Sequence, residues 1–217
     1  MLKKNRGQKI KKGKIIVLDG PDGSGKSTVM EAIKEVYNKS AWFSREPGGT
    51  PYAEELRVIF KSELAKGADA LTQFLNIWSS RADHIARGVK PQVESGKHVF
   101  MDRGDSSTWS YQIFGQEGYE LQKLFIDVRK MVFGENEPDL YIIFNLDAAT
   151  AMERKKAQVG ERRDHFEVRE LDFHQRTMDG YLDFVKKLKV PHVIIDASKS
   201  IEHVKEQCLR AIYKVLK

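Results

Sequence analysis

Residues 20–27 read Gly-Pro-Asp-Gly-Ser-Gly-Lys-Ser, a spacing typical of a loop that wraps around nucleotide phosphates. Its glycines let backbone N–H groups turn toward phosphate oxygens, and the helix that follows adds positive potential. We expect Lys26 to reach the β- and γ-phosphates and Ser27 to hold Mg²⁺. The loop residues predicted to bind ATP are Gly20, Asp22, Gly23, Ser24, Gly25, Lys26, Ser27 and Thr28.

Asp22 adds information that the phosphate loop alone does not carry, because the loop is shared by kinases, GTPases and motor proteins. A carboxylate beside bound phosphates is electrostatically unfavourable. A metal ion or a substrate hydroxyl close to Asp22 would offset that cost. Asp22 therefore indicates such a neighbour, unless its side chain points into water.

The elements that position this loop follow from the apolar pattern, in which short continuous apolar runs alternate with longer helical patterns. Continuous apolar runs indicate strands buried on both faces, as in a parallel sheet between helical layers. The predicted fold class is α/β, a three-layer α/β/α sandwich with a five-stranded parallel sheet of the P-loop NTP hydrolase type. The predicted strands are residues 14–19, 41–45, 98–102, 139–146 and 191–196, and the predicted helices are residues 25–38, 51–66, 71–94, 106–114, 120–133, 148–158, 167–188 and 200–216.

Composition narrows the class of protein further. The chain has 217 residues, 41% hydrophobic and 31% charged, and no apolar run approaches the roughly 20 residues of a membrane helix. A single cysteine and no secretory apolar segment predict a cytoplasmic protein without disulfides, and the histidines show no metal-ligand spacing. Net charge is +6, and basic residues crowd the N-terminus. We expect residues 1–13 to be a disordered basic tail rather than a nucleic-acid tether, since no aromatic residue interleaves the lysines.

A second motif, Arg-Glu-Pro-Gly-Gly-Thr-Pro at residues 45–51, follows the second predicted strand. Together with the phosphate loop it resembles the thymidylate kinase family, and the resemblance covers about residues 13–217. Further matches are Arg57, Arg81, the segment from Asp102 to Gln112, the segment Asp-His-Phe-Glu at 164–167, and Asp196-Ala197-Ser198.

The resemblance implies one nucleoside monophosphate kinase domain over residues 14–217 that transfers the γ-phosphate of ATP to dTMP, giving dTDP. In the family's pattern Arg57 and Arg103 clamp the dTMP phosphate, as guanidinium forks suit phosphate oxygens. Arg81 contacts the thymine edge, Tyr111 packs under the deoxyribose, and Asp22 meets the 3′-hydroxyl. The dTMP-binding residues so implied are Asp22, Arg57, Ile77, Arg81, Arg103, Ser107, Thr108, Tyr111 and Gln112.

Asp102 would end a buried strand at the carboxyl edge of the sheet, where ligands bind in α/β folds. We interpret it, with Ser27, as a residue of the Mg²⁺ site that holds a metal-bound water or orients an arginine. Two positions depart from the family's pattern. Ile77 stands where a phenylalanine usually stacks on thymine, and Gly104 stands where Tyr or His is usual. These departures leave a relaxed preference for dUMP or another pyrimidine open.

Catalysis of phosphoryl transfer depends on alignment and on neutralising negative charge. The phosphate loop has no arginine, whereas residues 160–164 read Gly-Glu-Arg-Arg-Asp between two predicted helices. We therefore expect a lid at about residues 157–166 in which Arg162 or Arg163 closes over the transferred phosphoryl group. Ala197 and Ser198 resemble the family's adenine loop, and Arg154 or Lys156 would lie over the adenine.

Two other functions fit parts of this sequence. A deoxynucleoside kinase also has a phosphate loop and an Asp-Arg pair, but it does not need Arg57 as a second phosphate clamp. A nucleotide-binding regulator or partner-stimulated ATPase would hydrolyse ATP slowly and bind no acceptor. The family also suggests a homodimer formed through helices beside the base site, with the helix from Leu71 as a candidate. No membrane or specific nucleic-acid partner is expected.

Overall fold

A sheet of five parallel strands forms the centre of the fold, in a computed structural model that describes residues 11–157, 166 and 169–217. The strands are β1 (Ile15–Asp19), β2 (Ala41–Arg45), β3 (His98–Asp102), β4 (Leu140–Asn145) and β5 (His192–Asp196). Their order across the sheet is β2-β3-β1-β4-β5, and each neighbouring pair is parallel. The loops that follow β1, β2 and β3 therefore leave the sheet at one edge, where α/β folds bind ligands.

Helices connect the strands and cover the sheet. They are α1 (Lys26–Tyr37), α2 (Pro51–Lys61), α3 (Ala70–Asp83), α4 (Lys90–Glu94), α5 (Asp105–Thr108), α6 (Gln122–Phe133), α7 (Ala148–Lys156), α8 (Leu171–Leu188) and α9 (Ile201–Leu216). Local chemistry accounts for several starts. The side chain of Thr50 accepts a hydrogen bond from the N–H of Ala53 at the start of α2, and Asp69 caps α3 in the same way.

The helices pack on both faces of the sheet. In β1, Ile15 and Val17 face one cluster of buried apolar side chains, and Ile16 and Leu18 face another. The first cluster includes residues of α3, α6 and α8, and the second includes residues of α1 and α9. Since β1 is buried on both faces, its run is continuously apolar. The predicted three-layer α/β/α sandwich is confirmed, with the phosphate loop between β1 and α1.

Two helical regions differ from the sequence prediction because each contains a wide π-helical turn. Helix α3 continues into a π turn at His84–Val89, and α5 continues into another at Trp109–Gly115. The sequence predicted regular α-helices over 71–94 and 106–114. A single wider turn changes the spacing of apolar residues too little to be detected in the sequence. Such turns are frequent at functional sites, and the second one carries Tyr111.

Strands β2 and β3 have the predicted ends, whereas α8 begins at Leu171 although the prediction included residues 169 and 170. The helix predicted for 51–66 ends at Lys61, because Ser62 adopts an extended conformation. Of the predicted tail, residues 1–10 lie outside the described residues, whereas the N–H of Gly13 donates to the carbonyl of Val93 at 2.9 Å. Among the described helices, none combines the length and the apolar composition required to cross a membrane.

Candidate functional site

The phosphate loop adopts the conformation that its glycines predict. Gly23 and Gly25 have φ angles of 79° and 86°, in the left-handed region that glycine adopts without strain. Gly25 precedes α1 and has no side chain to cap it, so the first N–H groups of α1 remain available to an anion. The loop lines a cavity of about 240 Å³, which also includes Asp102 and Arg103.

Lys26 is folded back over this loop. Its Nζ donates hydrogen bonds to the carbonyl oxygens of Gly20 at 2.9 Å and Pro21 at 2.7 Å. Burial, with a smaller contribution from the charge of Arg103, lowers the pKa of Lys26 to about 8. The Lys26 ammonium is therefore held at the floor of the cavity and poorly solvated, as a group that receives an anion should be.

Asp19, which sequence analysis did not select, is the buried centre of the loop's support. It ends β1 and accepts five hydrogen bonds that tie the phosphate loop to the segment after β3. The donors are the N–H groups of Gly20 and Gly104 and the hydroxyls of Ser106, Ser107 and Tyr181. Ser107, predicted to bind dTMP, thus uses its hydroxyl in this network, and its contact with dTMP stays a prediction.

Arg103 and Asp22 form an ion pair between the two loops. Arg103 Nη2 lies 2.5 Å from Asp22 Oδ1, and Arg103 Nη1 donates to the Gly20 carbonyl and to the hydroxyl of Tyr181. Burial favours the neutral form of Asp22, but the charges of Arg103, Lys26 and nearby Lys155 outweigh it and hold the pKa of Asp22 well below its usual range. Arg103 is therefore the main cation that offsets the charge of Asp22, and Lys26 and Lys155 add to it.

The backbone of Arg103 also singles it out. Its φ angle of 68° lies in the left-handed region, which is costly for a side chain with a Cβ. The N–H of Arg103 donates to the carbonyl of Leu18 at 2.9 Å, which helps to fix this conformation at the end of β3. Strained residues of this kind are concentrated in functional sites, and this one aims a guanidinium at the phosphate loop.

A larger cavity, of about 370 Å³, lies beside the phosphate cavity. It has a charged end, with Arg57, Asp102 and Arg103, and an apolar end, with Phe60 and Ile77. All nine predicted acceptor residues line it, although they come from the phosphate loop, α2, α3 and the segment after β3. These residues are Asp22, Arg57, Ile77, Arg81, Arg103, Ser107, Thr108, Tyr111 and Gln112.

Arg57 is held at the charged end of this cavity by a backbone contact. Its Nη1 donates to the carbonyl oxygen of Pro47 at 2.7 Å, in the loop that follows β2. Burial, with a smaller contribution from the nearby charge of Arg45, lowers the pKa of Arg57. An anionic group entering the cavity would be attracted to that end.

Arg81 is buried and held on two edges of its guanidinium group. Its Nε donates to Glu46 Oε2 at 2.6 Å, and its Nη2 donates to the Gly104 carbonyl at 3.0 Å and to Thr108 Oγ1 at 3.1 Å. Arg81 Nη1 has no hydrogen-bond partner among the described residues. The same holds for Gln112 Oε1. Since buried polar atoms are normally paired, both atoms suit a ligand with its own donors and acceptors.

The residues predicted to border the adenine, Arg154, Ala197 and Ser198, lie on the other side of the phosphate loop from the acceptor cavity. Arg154 Nη1 donates to the carbonyl oxygen of Ala197 at 2.8 Å, and Ser198 donates to Asp196 to close the turn after β5. A Cβ placed on Gly23 would lie 3.3 Å from the Cβ of Arg154. Of the two residues considered for the adenine position, Arg154 is thus the one that joins the phosphate loop to Ala197.

Comparisons with known proteins bear on this arrangement. Residues 18–208 match the family model described as Thymidylate kinase. The chain belongs to the thymidylate kinase family. It is 32% identical over 204 residues to the thymidylate kinase of Symbiobacterium thermophilum, with 93% of each chain covered. It is 31% identical over 198 residues to that of Hahella chejuensis, covering 90% of this chain and 93% of the relative.

A solved structure supports the same conclusion. The crystal structure of thymidylate kinase from Ehrlichia chaffeensis aligns with a TM-score of 0.70 and 26% identity, covering 93% of this chain and 99% of that one. The similarity therefore extends over the whole α/β sandwich and not over the phosphate loop alone.

A magnesium ion, which thymidylate kinases are expected to need with ATP, fits the residues present. Asp102 Oδ1 is buried without a hydrogen-bond partner in the described part of the chain, and Asp102 lines both cavities. Ser27 lines the phosphate cavity at the start of α1. No group of three or more His, Cys, Asp or Glu residues suited to a metal occurs in the described ranges. This donor set suits Mg²⁺, which keeps waters and binds through few protein oxygens and substrate phosphates.

Besides Asp19, Lys155 and Phe60 belong to the site and were not predicted from the sequence. Lys155, together with Asp22, lines the acceptor cavity, the phosphate cavity and a smaller cavity of about 30 Å³ between them and α7. Residues 154–156 are all basic, so the sequence could not tell which one faces the phosphates. Phe60 lies one helical turn after Arg57, and that spacing could have identified it as a cavity residue. Arg162 and Arg163 lie outside the described residues, and their lid role stays a prediction.

Proposed function

We propose that this chain transfers the γ-phosphate of ATP to dTMP, giving dTDP and ADP. The observation that carries the proposal is the junction of two cavities. The phosphate cavity and the acceptor cavity share four lining residues, and all four are charged. They are Asp22, Asp102, Arg103 and Lys155. Two anionic nucleotides placed in these cavities would therefore meet end to end at a cluster of fixed charges.

In this reaction the protein positions the two nucleotides and neutralises charge, and no side chain acts as a nucleophile. The phosphate loop and Lys26 bind the ATP phosphates, and Arg154 with the Ala197–Ser198 turn borders the adenine. Ser27 and Asp102 would hold Mg²⁺, which would supply positive charge to the ATP phosphates. Arg57 and Arg103 hold the dTMP phosphate so that its oxygen is aligned with the γ-phosphate.

Additional positive charge at the transferred group comes from two sources. Lys155 lies at the junction of the cavities and contributes to the low pKa of Asp22. Arg162 or Arg163 would add a guanidinium when the lid over residues 157–166 closes. Closure would also exclude water, which otherwise competes with dTMP for the phosphoryl group.

Turnover of alternative acceptors tests the proposal against its rivals. ADP release should be measured by a coupled assay with dTMP, dUMP, dCMP, UMP and thymidine. We expect dTMP to give the highest kcat/KM. Turnover of thymidine without turnover of dTMP would indicate a deoxynucleoside kinase. Slow ATP hydrolysis at a rate that none of the five compounds changes would indicate an ATPase or a regulator.

The acceptor clamp predicts a selective effect for Arg57→Ala. A charge-assisted hydrogen bond to phosphate is lost, so the KM for dTMP should rise about 10- to 100-fold while the KM for ATP changes less than about twofold. The exposed Arg210→Ala serves as the control, since Arg210 pairs only with its helical neighbour Glu206 among the described residues. Equal increases in both KM values for Arg57→Ala would argue against the clamp.

A homodimer formed through α2 and α3 is part of the proposal. Large apolar side chains on these helices and the short turn between them remain exposed, which favours burial against a second copy. They are Tyr52, Val58, Ile59, Leu64, Leu71 and Leu75. We expect sedimentation equilibrium to give twice the monomer mass, and Leu75→Glu to shift it toward the monomer. Tyr213→Glu, on α9 across the sheet, should leave the mass unchanged. A wild-type monomer at micromolar concentration would contradict this part.

We also propose a cytoplasmic location and one kinase domain over residues 14–217. The single thiol, Cys208, is buried, and burial raises its pKa to about 12, so it is a packing residue and not a redox group.

A further inference from the structure

A buried chain of polar contacts leads from strand β2 to the acceptor cavity. Ser44 Oγ lies 2.7 Å from His84 Nε2, His84 Nδ1 lies 3.1 Å from Glu46 Oε1, and Arg81 Nε donates to Glu46 Oε2 at 2.6 Å. His84, Glu46 and Arg81 have side-chain exposures of 0%, 2% and 1%. None of these contacts is to solvent, so each member depends on its neighbours for its orientation.

The protonation pattern of this chain follows from its acceptors. Glu46 is ionised, because burial is outweighed by the charge of Arg81 and by the hydrogen bond from His84, which lower the pKa of Glu46. His84 must therefore carry a proton on Nδ1 to donate to Glu46. The Ser44 hydroxyl can then donate to Nε2, which accounts for every polar atom of the ring.

The surroundings of the imidazole fix its plane. A Cβ on Gly49, which has a φ angle of 88°, would lie 2.5 Å from His84 Nε2. The ring of Trp42 packs 5.7 Å from the imidazole ring, measured between centroids. A Cβ on Gly88 would lie 3.1 Å from His84 Cδ2. The imidazole is therefore enclosed and has little freedom to rotate away from Glu46.

Arg81 is the end of this chain that faces the ligand. Glu46 binds its Nε edge, Gly104 and Thr108 bind Nη2, and Nη1 has no partner among the described residues. A guanidinium group only donates hydrogen bonds, so the remaining donors require an acceptor oxygen or nitrogen on the ligand. The position of those donors is set by Glu46, and the position of Glu46 is set by His84.

We propose that His84 is a positioning residue for base recognition, acting through Glu46 on Arg81. The inference rests on the proposed function, since it assumes that a nucleobase occupies the apolar end of the acceptor cavity. Thymine and uracil both present a carbonyl oxygen at C4, whereas cytosine presents an amino donor there. A correctly placed Arg81 therefore favours dTMP and dUMP over dCMP, and loss of its orientation reduces that preference.

The test compares His84→Leu with His84→Asn. Leucine removes both ring nitrogens, whereas the asparagine amide can still donate to Glu46. For His84→Leu we expect the KM for dTMP to rise about tenfold, with kcat and the KM for ATP changed less than about threefold. His84→Asn should restore most of the wild-type KM for dTMP. The exposed His203→Leu, on α9, is the matched control and should behave as wild type.

Selectivity separates positioning from loss of structure. Inhibition constants should be measured for dCMP and dUMP against dTMP. In His84→Leu we expect the preference for dTMP over dCMP to fall about tenfold, and the preference for dTMP over dUMP to stay constant. A general disturbance of the cavity would instead weaken all three nucleotides together, and that result would overturn the inference.

Two further arms keep the test decisive. If His84→Leu does not fold, judged by its thermal unfolding, Ser44→Ala takes its place. Ser44→Ala removes only the contact to Nε2 and should change the same ratio in the same direction by about twofold. Unchanged ratios in a folded variant that still phosphorylates dTMP would refute the role of His84 alone. Failure of the wild-type chain to phosphorylate dTMP would refute the proposed function itself.

Discussion

Replacing Lys26 with methionine is expected to abolish turnover while leaving the fold intact. Methionine keeps the length and apolar body of the side chain but removes the ammonium that would contact the β- and γ-phosphates. Loss of a preorganised charge of this kind in a partly desolvated site should lower kcat by about 10³-fold. Coupled ADP release with saturating dTMP measures the effect, and circular dichroism verifies the fold.

Lys186→Met is the matched control for this experiment. It removes the same charge from an exposed position in the last turn of α8, away from all three cavities. We expect it to retain full activity. Full activity in Lys26→Met would contradict the assignment of the phosphate loop.

A second measurement on Lys26 follows from its pKa of about 8, which burial and Arg103 hold below the ordinary value of 10.5. Bound phosphates bring negative charge and would raise this pKa. Between pH 8 and about pH 10, Lys26 has therefore lost its proton in the free protein but keeps it in the ATP complex. Calorimetry at pH 8.5 in buffers of different ionisation enthalpy should detect proton uptake on ATP binding, which Lys26→Met should lack.

The sequence predicted the scaffold well because the scaffold depends on local pattern. The short apolar runs at residues 41–43 and 99–101 located β2 and β3, and the glycines of residues 20–25 predicted the turn. The π turns at His84–Val89 and Trp109–Gly115 were missed because a single wider turn barely alters the apolar periodicity. Those turns nevertheless position His84 and Tyr111.

The hydrogen bonds and ion pairs around the site were harder to predict from the sequence, because they join residues far apart in the chain. Asp22 suggested a metal or a hydroxyl as its neighbour, whereas Arg103, from the end of β3, pairs with it in the structure. Asp19 looked like the last residue of a strand, and four of its five hydrogen bonds come from residues far along the chain. Sequence spacing identifies groups that can do chemistry, but the partners that set their charge come from tertiary contacts.

The apolar end of the acceptor cavity illustrates the same limit. Ile77 departed from the family's pattern and left a relaxed preference for dUMP or another pyrimidine open. In the structure Ile77 belongs to a cluster with Phe60, Phe166 and Phe173, and the ring centroids of Phe60 and Phe166 lie 5.3 Å apart. Since Phe60 and Phe166 also line the cavity, aromatic surface is present there although position 77 lacks it. The departure therefore does not by itself imply an aliphatic base site.

Arg103→Met is expected to lower kcat/KM for dTMP by about 10³-fold, the other large effect in this site. Arg103 bridges Asp22, the Gly20 carbonyl and Tyr181, so its loss removes a phosphate ligand and releases the loop that carries Lys26. Arg103→Lys should restore little of the lost kcat/KM, because the lysine ammonium cannot make all of these contacts at once as the planar guanidinium does. Steady-state kinetics with dTMP varied at saturating ATP measures both variants.

Stability provides the independent check on Arg103. Without Arg103, the Asp22 carboxylate loses the largest of the positive charges that keep its pKa below the ordinary 3.8, so the unfolding free energy should fall. Asp22 is 39% exposed, so the loss should be smaller than the roughly 3–5 kcal/mol of a fully buried pair.

The stabilisation from a lowered carboxylate pKa is complete above pH 3.8 and is lost as the pH falls through the folded pKa. The difference between wild type and Arg103→Met in urea unfolding should therefore be constant near pH 7 and shrink below pH 3.8. A difference that grows on acidification would show that Arg103 stabilises the loop without pairing with Asp22.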